Sequence, residues 1–75
     1  MNQRQLELMK FIFIQKEIIY KQGMEFYRSK GAFYNGINSL IRIQYISKFR
    51  YEGKINHYKL TEKGHQYLRK RGYII

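Results

Sequence analysis

The fold of this chain is decided by residues 46–64, whose sequence is ISKFRYEGKINHYKLTEKG. Two stretches rich in apolar and aromatic residues surround a Glu-Gly pair, a pattern typical of a β-hairpin. A three-residue loop, Tyr51-Glu52-Gly53, with Gly53 in the left-handed conformation, is a common hairpin connection. This loop pairs the strand residues as Arg50 with Lys54, Lys48 with Asn56, and Ile46 with Tyr58.

The apolar side chains of the hairpin favour this register. It places Ile46, Tyr58 and Leu60 on one face of the sheet, where they can cover a core. A two-residue loop would instead pair Ile46 with Lys59 and split the apolar set, and register follows the buried face. The residues predicted on the opposite face are Ser47, Phe49, Ile55 and His57.

A helix is predicted to follow the hairpin directly. Thr61 is a suitable N-cap, and Glu62 lies in the first turn, where the helix dipole favours a carboxylate. The helix is predicted to reach about Arg71, and Gly72 is a typical C-terminal stop. The side chains expected to face inward are Tyr67 and Leu68.

Two long helices, with a short one between them, are predicted before the hairpin. In residues 3–15 apolar side chains fall at helical spacing and also extend beyond one face, so this segment is either the central helix of the domain or a dimer helix. Between the two helices we predict an edge strand at 18–20, a short helix at 24–28 and a turn at 29–31. The second helix, 32–43, has an inner face defined by Phe33, Ile37, Leu40 and Ile41, with Gln44 as a further candidate.

The net charge of the chain indicates which class of partner it can bind. The chain, residues 1–75, forms one small domain with 15 Lys and Arg, five acidic residues and a formal net charge of +10. Such a surface favours a polyanion, which means DNA, RNA or an anionic membrane. High charge for solubility alone is the weaker reading, because acidic residues serve solubility equally well.

The composition also indicates the cellular compartment in which the protein is expected. The apolar run at 11–14 is far too short to span a membrane, and the absence of Cys fits a reducing environment. A cytoplasmic location is therefore expected. The richness in Ile, Tyr and Lys hints at an AT-rich gene, and a virus- or plasmid-encoded protein would act in the cytoplasm of its host.

The predicted order is helix, short strand, helix, turn, helix, hairpin, helix. This order resembles the winged helix-turn-helix fold of small prokaryotic transcription regulators, and the likeness is greatest to the MarR and PadR groups. It is carried by Leu40, Tyr45-Ile46 and the Leu-Thr-x-x-Gly motif within Tyr58–Gly64. The likeness covers Arg4 to Leu68 and implies an α+β fold with a three-helix core, a C-terminal β-hairpin wing and an extra C-terminal helix.

The resemblance also implies a set of site residues. In that family the recognition helix enters the DNA major groove, and the wing reaches the adjacent minor groove or the backbone. The implied groove-facing residues are Ser29, Lys30, Tyr34, Asn35, Asn38 and Arg42. The implied wing residues are Arg50, Tyr51 and Lys54, and Lys48 adds attraction that does not depend on base sequence.

We therefore expect a sequence-specific double-stranded DNA-binding protein, a homodimeric transcriptional regulator that needs no cofactor. The first helix, with Phe11 as an outward position, and the C-terminal tail are the expected dimer surface. Two alternatives stay open: a protein-interaction adaptor, with Phe49 and Ile55 in an exposed apolar patch, and an RNA-binding module.

No enzyme is expected, because the five acidic side chains are scattered among basic residues and no nucleophile or phosphate-loop motif occurs. No metal site is expected either. His57 and His65 lack a third ligand, whereas zinc sites use three or four protein ligands. His57 is instead predicted to face solvent or phosphate.

Overall fold

The computed structural model describes all 75 residues and combines four α-helices with a three-stranded antiparallel sheet. The elements are α1 Gln3–Gln15, β1 Ile18–Ile19, α2 Tyr20–Gly23, α3 Lys30–Arg42, β2 Ile46–Arg50, β3 Asn56–Leu60 and α4 Glu62–Lys70. A short 3₁₀ helix, Met24–Phe26, extends α2. The strand order in the sheet is β1-β3-β2, so both β1 and β2 are edge strands.

Helix α1 is the central helix, one of the two roles that its wide apolar surface predicted. Its side chains at Leu8, Met9 and Ile12 are completely buried. A capping box begins the helix: the Asn2 side chain accepts from the Gln5 N–H at 2.8 Å, and the Gln5 side chain accepts from the Asn2 N–H at 3.0 Å. These reciprocal bonds satisfy two amides that would otherwise lack partners.

The prediction that Phe11 faces outward is wrong. Its ring is partly buried and lies 5.2 Å, centroid to centroid, from the ring of Phe26. The outward apolar positions of α1 are Phe13 and Ile14, which are 38% and 71% exposed. The 3₁₀ helix supplies the contact that draws Phe11 inward.

The segment between α1 and α3 differs from its prediction. The edge strand is confirmed for Ile18–Ile19, which pair with β3 through Ile18–Tyr58 and Ile19–His57. The predicted helix at 24–28 instead begins at Tyr20, because the Gln22 side chain accepts from the Ile19 N–H at 3.0 Å and caps the chain there. Gly23 lies inside this helical segment and packs against Phe33, whose ring a Cβ atom at residue 23 would overlap.

Helix α3 begins two residues earlier than predicted. The Ser29 hydroxyl accepts from the Ala32 N–H at 3.1 Å, so residues 30 and 31 are helical rather than part of a turn. The predicted inner face is confirmed, since Phe33, Ile37 and Leu40 are fully buried. Gln44 is not part of it: its φ of 69° ends the helix, and its side chain is exposed.

The hairpin has a longer loop than predicted. The register pairs Ile46 with Leu60, Lys48 with Tyr58 and Arg50 with Asn56, which leaves residues 51–55 as the loop. The difference is a shift of two residues, so the side chains keep their faces. Ile46, Tyr58 and Leu60 are buried together, as predicted. A hydrogen bond of 2.9 Å from Arg50 Nε to Asn56 Oδ1 favours the observed register at the outer end of the strands.

Helix α4 begins as predicted, with the Thr61 hydroxyl accepting from the Gly64 N–H at 3.0 Å. Leu68 is fully buried, and Tyr67 is partly buried with its ring 4.8 Å from that of Tyr45. The helix crosses the connection between α3 and β2 so closely that Gly64 lies against the carbonyl oxygen of Tyr45. This contact joins the C-terminal helix to the start of the hairpin.

Candidate nucleic-acid interface

The outer face of α3 carries three polar side chains in a row. Asn35, Asn38 and Arg42 are all exposed, and their spacing of three and four residues places them on one side of the helix. No side-chain hydrogen bond or ion pair within the chain uses them. Their amide and guanidinium donors are therefore free to bind a ligand.

The two candidates at the start of α3 are placed differently. Ser29 is exposed, but its hydroxyl oxygen caps the helix by accepting from the Ala32 N–H. Lys30 is exposed, with its ammonium nitrogen 4.9 Å from the centre of the Tyr20 ring. Lys30 thus presents a positive charge at the N-terminal end of the same helix. The Ser29 hydroxyl is used as the N-cap of that helix.

Tyr34 lies at the side of α3 rather than on its outer face. Its ring is partly buried, 5.2 Å from Phe33 and stacked 6.4 Å from Tyr20. It is also close to Tyr58 in the hairpin. Burial raises the pKa of Tyr58, the nearby Tyr34 raises it further, and a hydrogen bond with Asn56 partly offsets both effects. The contact between α3 and the hairpin is made by Phe33, the neighbour of Tyr34, whose ring lies 5.9 Å from that of Tyr58.

The hairpin carries exposed cations on the face that it shares with Tyr58. Lys48 is the cross-strand partner of Tyr58, and Arg50 is the cross-strand partner of Asn56. Residues two apart in a strand share a face, so both cations lie on the face that covers the core at its inner end. Both are exposed, as is Lys54 in the loop, although Glu52 adds one carboxylate there.

Tyr51 is not brought together with these cations. Its hydroxyl donates to Glu17 at 2.8 Å, and its ring contacts those of Phe49 and His57 on the opposite face of the hairpin. The hydrogen bond to Glu17 is the main reason that the pKa of Tyr51 is raised. Tyr51 thus fixes the hairpin to the α1–β1 connection.

His57 does not face solvent or phosphate as predicted. Its Nδ1 atom lies 3.0 Å from a carboxylate oxygen of Glu17, and its ring stacks 5.8 Å from Phe49. Glu17 was missed by the sequence reasoning. The signal that would have found it is the pairing of β1 with β3: Ile19 lies opposite His57, and Glu17 is two residues before Ile19.

The charge of the chain is almost entirely unneutralised. Of its 15 Lys and Arg side chains, only Lys10 forms an ion pair, with Glu7 at 3.2 Å. Unpaired cations that share a surface attract a polyanion over a distance of about 8 Å at physiological ionic strength. The exposed cations of α3 and the hairpin are therefore available to attract a polyanion.

No family model matches this chain, and no curated protein matches it. None of the helices has the length and apolar character needed to cross a lipid bilayer. No cluster of three or more His, Cys, Asp or Glu side chains is arranged to bind a metal ion.

Proposed function

We propose that this protein is a winged helix-turn-helix protein that binds double-stranded DNA with base specificity and regulates transcription. In this proposal α3 is the recognition helix and the hairpin, residues 46–60, is the wing. One observation carries it: α3 packs against the hairpin, with the rings of Phe33 and Tyr58 5.9 Å apart, and the two elements together expose cationic and amide side chains. These side chains are Asn35, Asn38 and Arg42 on α3, and Lys48 and Arg50 on the hairpin face that carries Tyr58. Among these residues there is no carboxylate to repel phosphate.

The side chains of this surface match the chemistry of duplex DNA. The major groove is about 12 Å wide and admits an α-helix, where an Asn amide can pair with adenine and an Arg guanidinium with guanine. Lys48, Arg50 and Lys54 on the wing would contact phosphates or a narrow minor groove. α3 would thus supply base specificity, and the wing would supply affinity.

Binding to three nucleic acids tests this proposal. The purified protein is titrated by fluorescence anisotropy against duplex DNA from upstream of its own gene, random duplex DNA and duplex RNA, at two salt concentrations. We expect the tightest and least salt-sensitive binding to the upstream duplex. Tighter binding to duplex RNA would favour the RNA-binding alternative, and absence of binding to all three would overturn the proposal in favour of a protein partner.

Asn38→Ala tests base reading by α3. A well-placed bidentate contact to a base contributes about 1–3 kcal/mol of discrimination. We therefore expect binding to the specific site to weaken by that amount, with binding to random duplex nearly unchanged, in the same anisotropy assay. Gln66→Ala is the matched control, since it removes an exposed amide on α4, outside α3, the hairpin and the proposed dimer groove. Equal losses on specific and random DNA would contradict base reading by Asn38.

The adaptor alternative has less support. It needs Phe49 and Ile55 in one exposed apolar patch, but Phe49 is partly buried in its stack with His57. Of these two, only Ile55 is exposed, at 52%; its exposed loop neighbour Tyr51 is held by its hydrogen bond to Glu17. Scattered exposed apolar residues are ordinary in soluble proteins and do not by themselves indicate a partner.

A second copy of the chain is the partner that we propose for the apolar surface at the C-terminal end of α1. Phe13 and Ile14 form a groove of about 430 Å³ with Tyr73, Ile74 and Ile75 of the C-terminal tail. A twofold dimer uses the same patch on both copies, so a self-complementary apolar surface suits it. Two recognition helices would then read half-sites about one helical turn apart.

Ile14→Glu tests this dimer. The side chain is 71% exposed, so the charge leaves the core of the monomer intact but would be buried in the proposed interface. We expect the wild type to sediment as a dimer and the variant as a monomer at the same concentration. Ile55→Glu is the control, because it adds the same charge at an exposed position on the hairpin loop. A variant that remains dimeric would place the interface elsewhere.

A further inference from the structure

A polar groove lies beside α3, on the flank away from the hairpin. It has a volume of about 680 Å³ and runs between the first turn of α1 and the outer side of α3. No carboxylate lines it, and Arg4 is its only charged residue. The walls otherwise carry amide and hydroxyl groups, among them those of Asn2, Asn35 and Ser39.

The two helices that form the groove are held in place by specific contacts. Gln5 Nε2 donates to the Gly36 carbonyl oxygen at 3.1 Å, which links the first turn of α1 to the middle of α3. Tyr27 lies against Gly36, where a Cβ atom would be only 2.5 Å from its hydroxyl oxygen. The Tyr27 hydroxyl is buried without a hydrogen-bond partner, and burial raises its pKa, so it stays neutral.

Arg4 is available for an external ligand. Its guanidinium carbon lies 5.9 Å from the centre of the Tyr27 ring, which places the charge at the wall of the groove. Arg4 takes part in no ion pair and in no side-chain hydrogen bond within the chain. The nearest carboxylate along α1, that of Glu7, is already occupied by Gln3 at 2.9 Å and by Lys10 at 3.2 Å.

The groove is continuous with the proposed DNA-reading face. Asn35 belongs both to the outer face of α3 and to the groove wall. The hairpin contacts α3 through Phe33, whose ring lies 5.9 Å from that of Tyr58 and 5.2 Å from that of Tyr34. Ser39 in the groove points well away from both Phe33 and Tyr34 around the helix axis. A helix inserted into the major groove has a phosphate backbone on each side. The hairpin would meet one of these backbones, and the groove would meet the other.

We propose that this groove is a second phosphate-binding site, which holds a phosphodiester of the same duplex on the side of α3 opposite the hairpin. The inference rests on the proposed function. Arg4 supplies the charge and bidentate donors for the phosphate oxygens, and the Asn35 amide can donate from the other wall. The protein would then grip both strands that border the major groove, which fixes the position and rotation of α3 against the bases.

Arg4→Ala tests the charge of the site. Loss of a single phosphate contact weakens binding to all duplex sequences alike and reduces the slope of log affinity against log salt by about 0.9. Arg4→Lys keeps the charge and is expected to restore most of the slope. Arg69→Ala is the matched control, because it removes the same charge from an exposed position on α4 outside the groove. Its slope should equal that of the wild type.

A methylphosphonate scan of the specific duplex locates the contact. Each methylphosphonate removes the charge of one phosphate. The phosphate held by Arg4 is the one at which this change lowers the DNA affinity of the wild type but leaves that of the Arg4→Ala variant unchanged. We expect that phosphate on the strand opposite the one contacted by the hairpin. If the wild type binds duplex DNA but Arg4→Ala and Arg69→Ala show the same slope of log affinity against log salt, the phosphate site at Arg4 is ruled out and the proposed function still stands. Absence of wild-type binding to duplex DNA would overturn it together with the proposed function.

Discussion

Replacing Gly64 with alanine is expected to destabilise the protein by about 2–3 kcal/mol, the upper part of the range for an added methyl group in a tightly packed site. The new Cβ atom would overlap the backbone carbonyl oxygen of Tyr45 and lie 3.3 Å from the Leu60 side chain. The Tyr45 carbonyl cannot move freely, because its oxygen accepts a hydrogen bond from the Thr61 N–H at 3.1 Å. The Tyr45 N–H in turn donates to the Leu40 carbonyl oxygen at 2.9 Å. Relief would require α4 to shift away from the hairpin.

Thermal and urea unfolding followed by circular dichroism measure this effect. In a chain of this size, 1 kcal/mol corresponds to about 4–8 °C, so the Tm should fall by about 8–24 °C. Gly31→Ala is the control: Gly31 is also helical, but no neighbouring side chain or backbone atom lies within 4 Å of a Cβ atom added there. That change should raise stability by up to about 1 kcal/mol through helix propensity. An unchanged Tm for Gly64→Ala would mean that α4 does not press on the Tyr45 carbonyl.

The Leu-Thr-x-x-Gly motif shows what local pattern can and cannot predict. Thr61 as a helix cap follows from local chemistry, and the structure confirms it. The reason for the glycine three residues later is not local: it depends on the carbonyl of Tyr45, which precedes the hairpin. A resemblance in sequence can mark such a position, but only the packing of α4 across the α3–β2 connection explains it.

The hairpin shows the limit of periodicity. Alternation with a period of two predicts which face each residue occupies, so Ile46, Tyr58 and Leu60 were placed together correctly. The same period cannot distinguish registers that differ by two residues, because all side chains keep their faces. The bond between Arg50 and Asn56 and the opposition of Ile46 to Leu60 distinguish them, and both are pairwise contacts that a single strand does not display.

In the candidate site, too, local pattern predicts some features, and contacts between distant residues determine the others. The exposed row on α3 was predictable, since the helical spacing that buries Phe33, Ile37 and Leu40 turns Asn38 and Arg42 outward. The contacts of Glu17 with Tyr51 and His57 span 34 and 40 residues. They exist only because β1 adds to the hairpin as an edge strand, so no local pattern places Tyr51 against the sheet.

Replacing both Arg50 and Lys54 with alanine is expected to flatten the salt dependence of DNA binding. Each phosphate contact contributes about 0.9 to the slope of log affinity against log salt, so the slope should fall by about 1.8. Both side chains are exposed, and only the hydrogen bond from Arg50 to Asn56 is lost from the folded protein. The loss should be alike on specific and random duplexes, because phosphate contacts carry no direct base information.

The loop makes this double variant informative. With both cations gone, Glu52 is the only charged residue left between Arg50 and Asn56, so the tip of the hairpin changes from attractive to repulsive for phosphate. Arg69→Ala with Lys70→Ala is the matched control, since it removes two exposed cations of α4, outside α3 and the hairpin. If both double variants change the slope equally, net charge alone governs binding. If the hairpin variant keeps the wild-type slope, the hairpin lies outside the interface, and α3 must bind without it.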